Sequence, residues 1–149
     1  MAANVKPIPQ GFNTVTPYLT VHRVAELIDF AKNVFGATEV DRMTRPDGVV
    51  MHAEIKIGDS MIMLGTAMDE ASVRNGQLYV YMPDVDAVHR RAIQAGATSL
   101  REPTDMFYGD RCGGLRDTWG NDWWIATHIE DVAPDEMQRR AAAAMTQHA

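Results

Sequence analysis

His52 and Glu54 are a histidine and a carboxylate whose spacing could place both in one site. They lie two positions apart within residues 49–57, where alternating apolar residues predict a strand. Residues i and i+2 of a strand share a face, so both side chains would point the same way. His128 and Glu130 form a second such pair. Because two ligands rarely hold a metal, we favour a structural or ligand-contacting hydrogen bond for His52.

Cys112 and Arg111 suggest a different chemistry. A thiolate beside a guanidinium would be favoured as a nucleophile. No histidine is placed beside Cys112 by the sequence, and two glycines follow it, so we interpret Cys112 as a small strand residue. Arg111 could pair with a carboxylate or phosphate of a ligand. It could equally form a local salt bridge with Asp110 on a solvated face.

Composition and charge narrow the classes of function. The chain has 149 residues, a formal net charge of −6 and one cysteine. The negative charge argues against nucleic acid or an anionic membrane as a partner. No run of about 18 apolar residues predicts a membrane span, and residues 1–11 lack the apolar core of a signal peptide. With no intrachain disulfide available, we expect a cytoplasmic protein.

The elements that must position these residues come in two copies. The phrase at 35–40 (FGATEV) returns at 95–100 (AGATSL), and Gly96 follows Gly36 by 96 − 36 = 60 residues. Each copy follows a segment with helical spacing of apolar residues, and the glycine predicts the end of that helix. A repeat with this period indicates two copies of one supersecondary unit. We therefore expect a ligand in a cleft between two related half-sheets.

Each copy is predicted to run β-α-β-β-β, which gives an α+β fold. We divide the chain into an N-terminal arm (1–13), a single domain (14–132) and a C-terminal helical tail (133–149). The two modules within that domain span about 14–65 and 77–128. The predicted strands are 14–21, 37–44, 49–57, 61–64, 78–82, 98–102, 108–117 and 122–128, with helices over 24–35 and 85–93.

Three stretches resemble one family. They are TVTPYLTV (14–21), HAEIKIGDSMIML (52–64), and YGDR (108–111) followed by DTWGNDWWIATHIEDV (117–132). Together with the tandem units they resemble the vicinal oxygen chelate superfamily, which includes glyoxalase I, bleomycin-resistance proteins and extradiol dioxygenases, and specifically its PhnB-like branch. The resemblance implies a curled mixed sheet with helices outside and an open cleft. In metal-dependent members, four ligands on the first and last strands of each unit hold a metal that acts as a Lewis acid.

The repeat locates those four positions in this sequence at Thr16, Met63, Gln77 and Trp124. The offsets agree, because 77 − 16 and 124 − 63 both equal 61. Enzymes need histidine or carboxylate at such places. Threonine, methionine, glutamine and tryptophan cannot build that centre, and shifting the register by one residue does not supply it. We therefore expect no metal ligands and no cofactor.

Aromatic side chains occupy the predicted cleft instead. Flat apolar walls with a few polar tips suit a planar organic ligand, and the acidic balance together with Glu54 would suit some positive charge on it. The same rings could also simply fill the cleft. The candidate ligand-binding residues are Tyr18, His52, Glu54, Met63, Gln77, Tyr79, Tyr81, Tyr108, Arg111 and Trp124.

These observations predict a metal-free relative of the bleomycin-resistance proteins that sequesters a small, aromatic organic molecule, with no catalytic residue. The alternative is a lyase, isomerase or dioxygenase whose metal is held by His52, Glu54 and a residue from another chain. A structural or regulatory module with a filled cleft is the third class. The resemblance also implies a homodimer.

Overall fold

The structure, a computed structural model, describes residues 4–147 of the chain. Residues 1–3 of the predicted arm and residues 148–149 of the predicted tail lie outside the described residues. The chain forms two compact units, and the boundary between them lies between Gly76 and Gln77. The strands are β1 (Tyr18–Val21), β2 (Thr38–Thr44), β3 (Val50–Ile57), β4 (Ser60–Thr66), β5 (Gln77–Tyr81), β6 (Thr98–Asp105), β7 (Asp110–Arg116) and β8 (Asp122–His128). The α-helices are α1 (Val24–Phe35), α2 (Val85–Gln94) and α3 (Pro134–Gln147).

The first unit is a four-stranded sheet with the order β1-β4-β3-β2. β1 runs parallel to β4, and the other neighbours are antiparallel. Helix α1 ends at Gly36, which takes the left-handed conformation (φ 67°) that favours glycine. Its apolar stripe is buried and contacts β3. Because apolar and polar residues alternate along β3, one face of the sheet is buried in this core and the other carries His52, Glu54 and Lys56.

The second unit repeats this plan with the order β5-β8-β7-β6, β5 being parallel to β8. Helix α2 is capped by Asp84, whose carboxylate accepts the backbone N–H of Ala87 at 3.2 Å. The helix packs on the face of the sheet that buries Leu115, Trp123 and Ile125. The tandem β-α-β-β-β modules expected from the sequence are confirmed, and the sheets are mixed.

The first strand differs from its predicted bounds. The pattern at 14–21 predicts eight residues, but β1 starts at Tyr18. Pro17 has no N–H to give to a strand ladder, although its carbonyl still accepts the N–H of Met63 at 2.9 Å. β6 in turn runs three residues past its predicted end, to Asp105, and its pairing with β7 contains register shifts.

The connector at residues 66–76 contains a short 3₁₀ turn, Glu70–Ser72, closed at its start by a capping box between Asp69 and Ser72. Helix α3 begins at Pro134, as predicted, with two acidic residues in its first turn. Among residues 4–147 no helix has the length and the apolar character that crossing a bilayer requires.

Candidate functional site

The two units place corresponding residues in the same strand register. Tyr18 pairs with Met63 between β1 and β4, and Tyr79 pairs with Trp124 between β5 and β8. Both members of the second pair lie 61 positions after those of the first (79 − 18 and 124 − 63). The offset of 61 inferred from the sequence is therefore confirmed by the strand pairing. In each unit these residues lie on the sheet face that the helix does not cover, which we call the open face.

On the open face of the first unit, a tyrosine, a histidine and a glutamate form a chain of polar contacts. The Tyr18 hydroxyl lies 3.2 Å from His52 Nδ1, and His52 Nε2 lies 3.4 Å from Glu54 Oε1. Gly65 allows this arrangement, because a Cβ there would lie only 2.7 Å from the Tyr18 hydroxyl. Met63 pairs with Glu54 across β3 and β4. The predicted residues Tyr18, His52, Glu54 and Met63 are thus neighbours on one face.

The side chains at the four positions where metal ligands are implied do not fit a divalent cation. Trp124 Nε1 donates to Gln77 Oε1 at 3.1 Å, and an indole N–H has no lone pair to offer. The Met63 thioether suits only soft metals. Within residues 4–147, no group of three or more histidine, cysteine, aspartate or glutamate side chains is arranged to hold a metal ion.

On the open face of the second unit, two tyrosine rings stand out into solvent. Tyr79 is 44% exposed and Tyr81 is 63% exposed, and their ring centroids lie 5.3 Å apart. The Trp124 ring lies against Gly114, where an added Cβ would approach it to 2.3 Å. The Arg101 guanidinium lies 5.6 Å from the centre of the Trp124 ring, within range of a cation–π contact. The tyrosines are therefore more available to a ligand than the tryptophan.

Asp110 holds both tyrosine hydroxyls in place. Its carboxylate is buried, and Oδ2 accepts from the Tyr79 hydroxyl at 2.8 Å and from the Tyr81 hydroxyl at 3.2 Å. The other oxygen, Oδ1, lies 2.8 Å from His128 Nδ1, and His128 Nε2 lies 2.7 Å from Asp131. These contacts join β5, β7 and β8 into one polar cluster, which we call the Asp110 cluster (Tyr79, Tyr81, Asp110, His128 and Asp131).

The titration behaviour of the cluster follows from these contacts. Burial raises the pKa of Asp110, but the hydrogen bonds from His128, Tyr79 and Tyr81 outweigh it, so the pKa lies below its ordinary value. Burial raises the pKa of Tyr79, and the neighbouring Tyr108, Asp110 and Cys112 side chains raise it further. The hydrogen bonds to Asp110 and Asp131 raise the pKa of His128 above 6.5. Asp110 is thus a carboxylate and both tyrosines keep their protons at neutral pH.

We predict that His128 makes folding stability depend on pH. Because its pKa is raised on folding, its contribution is fully present below about pH 6.5 and is lost as the pH rises through the folded-state pKa. The difference in unfolding free energy between wild type and His128→Gln should therefore shrink from pH 5.5 to pH 9. Urea unfolding at several pH values measures it. A difference that stays constant over this range would contradict the assignment.

Two predicted site residues have other surroundings. Arg111 lies on the α2 side of β7 and donates to Asp86 at 2.8 and 2.9 Å and to Asp105 at 3.0 Å. It is not brought together with the tyrosines, and its partners differ from the predicted Asp110. Tyr108 precedes β7, packs edge-to-face on Phe107, and is close enough to Tyr79 to raise the pKa of that tyrosine. It therefore adjoins the Asp110 cluster.

The turn that carries Tyr108 is fastened to the C-terminal segment. Arg140 of α3 donates to the carbonyl oxygen of Phe107 at 3.2 Å and to both carboxylate oxygens of Glu130 at 2.8 and 2.9 Å. The Gly109 carbonyl accepts the N–H groups of Ile129 and Glu130. Glu130 therefore pairs with Arg140 of α3, whereas His128 pairs with Asp110. The two residues do not form the pair suggested by their spacing.

Sequence reasoning missed the role of Asp110 and the partners of His128. The alternation of side chains along a strand could have placed Asp110 and His128 on the face of Trp124, since the even-numbered residues of 110–116 and of 122–128 share that face. What this alternation does not supply is the register that sets Asp110 opposite His128. Cys112 is buried on the same face and contributes to the raised pKa of Tyr79.

Comparisons with known proteins agree with this geometry. A family model described as the glyoxalase/bleomycin resistance protein/dioxygenase superfamily matches residues 11–125. An uncharacterized protein of Mycobacterium bovis is 33% identical over 149 residues, which cover 93% of this chain and 94% of that protein. An uncharacterized protein of Mycobacterium tuberculosis H37Rv is also 33% identical, covering 93% of this chain and 84% of its own length.

Solved structures share the fold at lower identity. TioX from Micromonospora sp. ML1 has a TM-score of 0.62 and 23% identity, covering 77% of this chain and 99% of its own. The PhnB protein from Bacillus cereus has a TM-score of 0.63 and 16% identity, with the same coverage. The fosfomycin resistance protein FosX from Mesorhizobium loti has a TM-score of 0.58 and 17% identity, covering 77% and 91%. At these identities the likeness concerns the fold.

Proposed function

Because the chain belongs to the glyoxalase/bleomycin resistance protein/dioxygenase superfamily, we propose that it binds a small organic molecule with an aromatic ring and sequesters it without catalysis. The family assignment made from the sequence is confirmed by this match, and a PhnB protein is among the structures that share the fold. The proposed binding surface is the open face of the second unit.

The observation that carries the proposal is the pair of solvent-facing rings of Tyr79 and Tyr81, held by a buried carboxylate. Exposed aromatic rings are common as isolated residues, but here both hydroxyls are fixed by Asp110. A ring that is already ordered loses less conformational entropy when a ligand stacks on it. Offset or edge-to-face stacking contributes about 0.5–1.5 kcal/mol beyond area burial. The ring of Tyr18 and the polar contacts from it through His52 to Glu54 offer a similar surface in the first unit.

We propose sequestration without catalysis because of the side chains at the implied metal positions and the partners of His128. The side chains at the four implied metal positions do not fit a divalent cation, and both nitrogens of His128 face carboxylates. An imidazole occupied on both sides has no free nitrogen with which to take a proton from a ligand. Sequestration needs none of these groups to react.

We predict that Tyr81→Ala weakens binding by about tenfold, because one stacked ring and its buried area are lost. The measurement is a thermal-shift screen of planar aromatic compounds, followed by calorimetry on those that raise Tm. A ligand at 100 times its Kd stabilises a protein by about 2.7 kcal/mol, which moves Tm by several degrees.

Met145→Ala is the matched control, since it removes an apolar side chain that is 75% exposed on α3. It should leave the affinity unchanged. A screen in which no planar compound raises Tm would instead favour the structural or regulatory module. Equal loss of affinity in both variants would place binding elsewhere on the chain.

The second candidate is a lyase, isomerase or dioxygenase whose metal is held in part by His52 and Glu54. It is supported by the 3.4 Å contact between the imidazole and the carboxylate. Protein purified without chelator and then offered Zn²⁺, Ni²⁺, Mn²⁺ and Fe²⁺ in turn would retain close to one ion per chain under this alternative.

A homodimer belongs to the proposal as well. β2 lies at the edge of the first sheet and exposes Val40 and Met43, and an exposed edge strand with apolar side chains is suited to pairing with another chain. A cytoplasmic location stays a prediction of the sequence.

A further inference from the structure

The direction of the hydrogen bonds that the tyrosine hydroxyls of the Asp110 cluster make is fixed. Asp110 is a carboxylate and carries no proton, so Tyr79 and Tyr81 must be the donors in their hydrogen bonds to Oδ2. A tyrosine hydroxyl has one proton. Tyr79 and Tyr81 therefore have no second proton to donate to a ligand. Both protons point inward, toward the buried carboxylate.

The outward side of such an array can only accept. Each hydroxyl oxygen keeps lone-pair capacity, and the Tyr81 residue is 63% exposed. The groups that hold these hydroxyls carry a net negative charge. With His128 protonated, the cluster holds two carboxylates, Asp110 and Asp131, against one imidazolium. The two tyrosine rings add the negative faces of their π-systems, which attract cations within about 6 Å.

Two arginines, on β6 and β7, have partners away from the tyrosine pair. Arg111 is paired with Asp86 and Asp105 on the other side of β7. Arg101 lies over Trp124 and donates to Met106 Sδ. Neither guanidinium contacts the tyrosine pair, so an anionic group placed there would meet acceptor oxygens and a net negative charge.

We propose that the ligand of this face carries an ammonium group, or another positively charged N–H donor, next to its aromatic ring, and that this group binds at Tyr79 and Tyr81. The inference rests on the proposed function and specifies the class of ligand for that site. Asp110 is a positioning residue, because it is buried and acts through the hydroxyls that it orients. Tyr81 is the residue that contacts the cation.

The test uses three probes that share one ring system: 2-naphthylmethylamine, 2-naphthylmethanol and 2-naphthoate. Calorimetry at pH 7.5 with the full chain measures Kd for each. The amine should bind at least about tenfold more tightly than the alcohol, which is the order of one hydrogen bond to a charged group. The carboxylate should bind more weakly than the alcohol.

Variants then separate positioning from folding. In Asp110→Asn the amine-to-alcohol ratio should fall close to one, because the charge is removed and an amide no longer dictates where the hydroxyl protons point. Tyr81→Phe keeps the ring and lies at the surface, so it remains informative if Asp110→Asn fails to fold. It should lower amine affinity about threefold to tenfold and leave the alcohol nearly unchanged. Asp105→Asn is the control, since it changes net charge equally but lies 3.0 Å from Arg111, away from the tyrosines.

The outcomes distinguish this inference from the proposed function. Similar affinities for all three probes, or a preference for the carboxylate, would overturn the ammonium assignment and leave aromatic binding intact. Loss of the amine preference in Asp105→Asn as large as in Asp110→Asn would also overturn it, since net charge alone would then explain it. If none of the three binds at millimolar concentration, the proposed function fails and the ammonium assignment fails with it.

Discussion

Replacing Asp117 with alanine is expected to lower the free energy of unfolding by about 4 kcal/mol, because several buried donors would lose their acceptor together. The Asp117 carboxylate is 4% exposed and accepts four hydrogen bonds of 2.8–2.9 Å. The donors are the backbone N–H groups of Trp119 and Asn121, the Asn121 amide, and the Trp123 indole. Asn121 and Trp123 are almost fully buried, so water cannot replace the carboxylate without opening the hairpin between β7 and β8.

Urea denaturation at pH 7 measures this loss, and two further variants define its origin. Asp117→Asn keeps the size of the side chain but replaces one acceptor oxygen with a donor, so we expect a loss of about 2 kcal/mol. Asp122→Ala removes a carboxylate of the same hairpin that pairs with the more exposed Arg116 at 2.7 Å, and should cost less than about 1 kcal/mol. Similar losses for Asp117→Ala and Asp122→Ala would show that burial of the acceptor is not the cause.

Replacing Gly109 with alanine is expected to lower the free energy of unfolding by about 3 kcal/mol. Gly109 has φ +100°, a region that costs a residue with a Cβ about 1–2 kcal/mol. Its Cβ would also lie 2.2 Å from the carbonyl oxygen of Glu130, which is backbone and cannot rotate away. The segment after β8 would have to move, and with it the N–H groups of Ile129 and Glu130 that bind the Gly109 carbonyl.

Gly96→Ala provides the matched control for that substitution. Gly96 has nearly the same dihedral angle, φ +106°, but the nearest atom to its Cβ would be Thr118 Cγ2 at 3.9 Å, an ordinary contact. We expect a loss of about 1 kcal/mol there, from backbone strain alone. Thermal unfolding of both variants separates the two terms. Equal losses would mean that the contact with Glu130 is relieved without cost.

Gly109→Ala also tests the candidate site, because Gly109 lies between Tyr108 and Asp110. A displaced turn would move Tyr108 and the carboxylate that orients both tyrosines. Any aromatic ligand found in the screen should therefore bind the folded Gly109→Ala protein more weakly than it binds Gly96→Ala.

Local periodicity was enough to predict the elements of this fold. The apolar spacing of residues 24–35 predicts a helix that ends at Gly36, and the structure has that helix with the same end. Alternation along 49–57 predicts that His52 and Glu54 share a face, and they do. These features follow from the sequence because a helix or strand places side chains at a fixed period, and burial of one face leaves that period in the residue types.

The repeat supplied the correspondence between units. One offset of 61 residues related Met63 to Trp124, and the strand pairing confirms it. A repeated phrase carries this information because two copies of a supersecondary unit keep the same order of strands. From it the sequence also determined which residue types stand at the implied metal positions.

The sequence by itself therefore determined the order of the elements, the two-unit plan and the face on which each strand side chain lies. It also determined which residue types stand at the four implied metal-ligand positions. Tertiary structure alone decided which side chains meet across strands. Asp110 receives Tyr79 from 31 residues away and His128 from 18, and Arg111 pairs with Asp86 across 25 residues. Such partners depend on strand register and on the position in which α2 packs against β7. Both are set by packing of the whole unit, and a period of two or 3.6 residues carries no record of them.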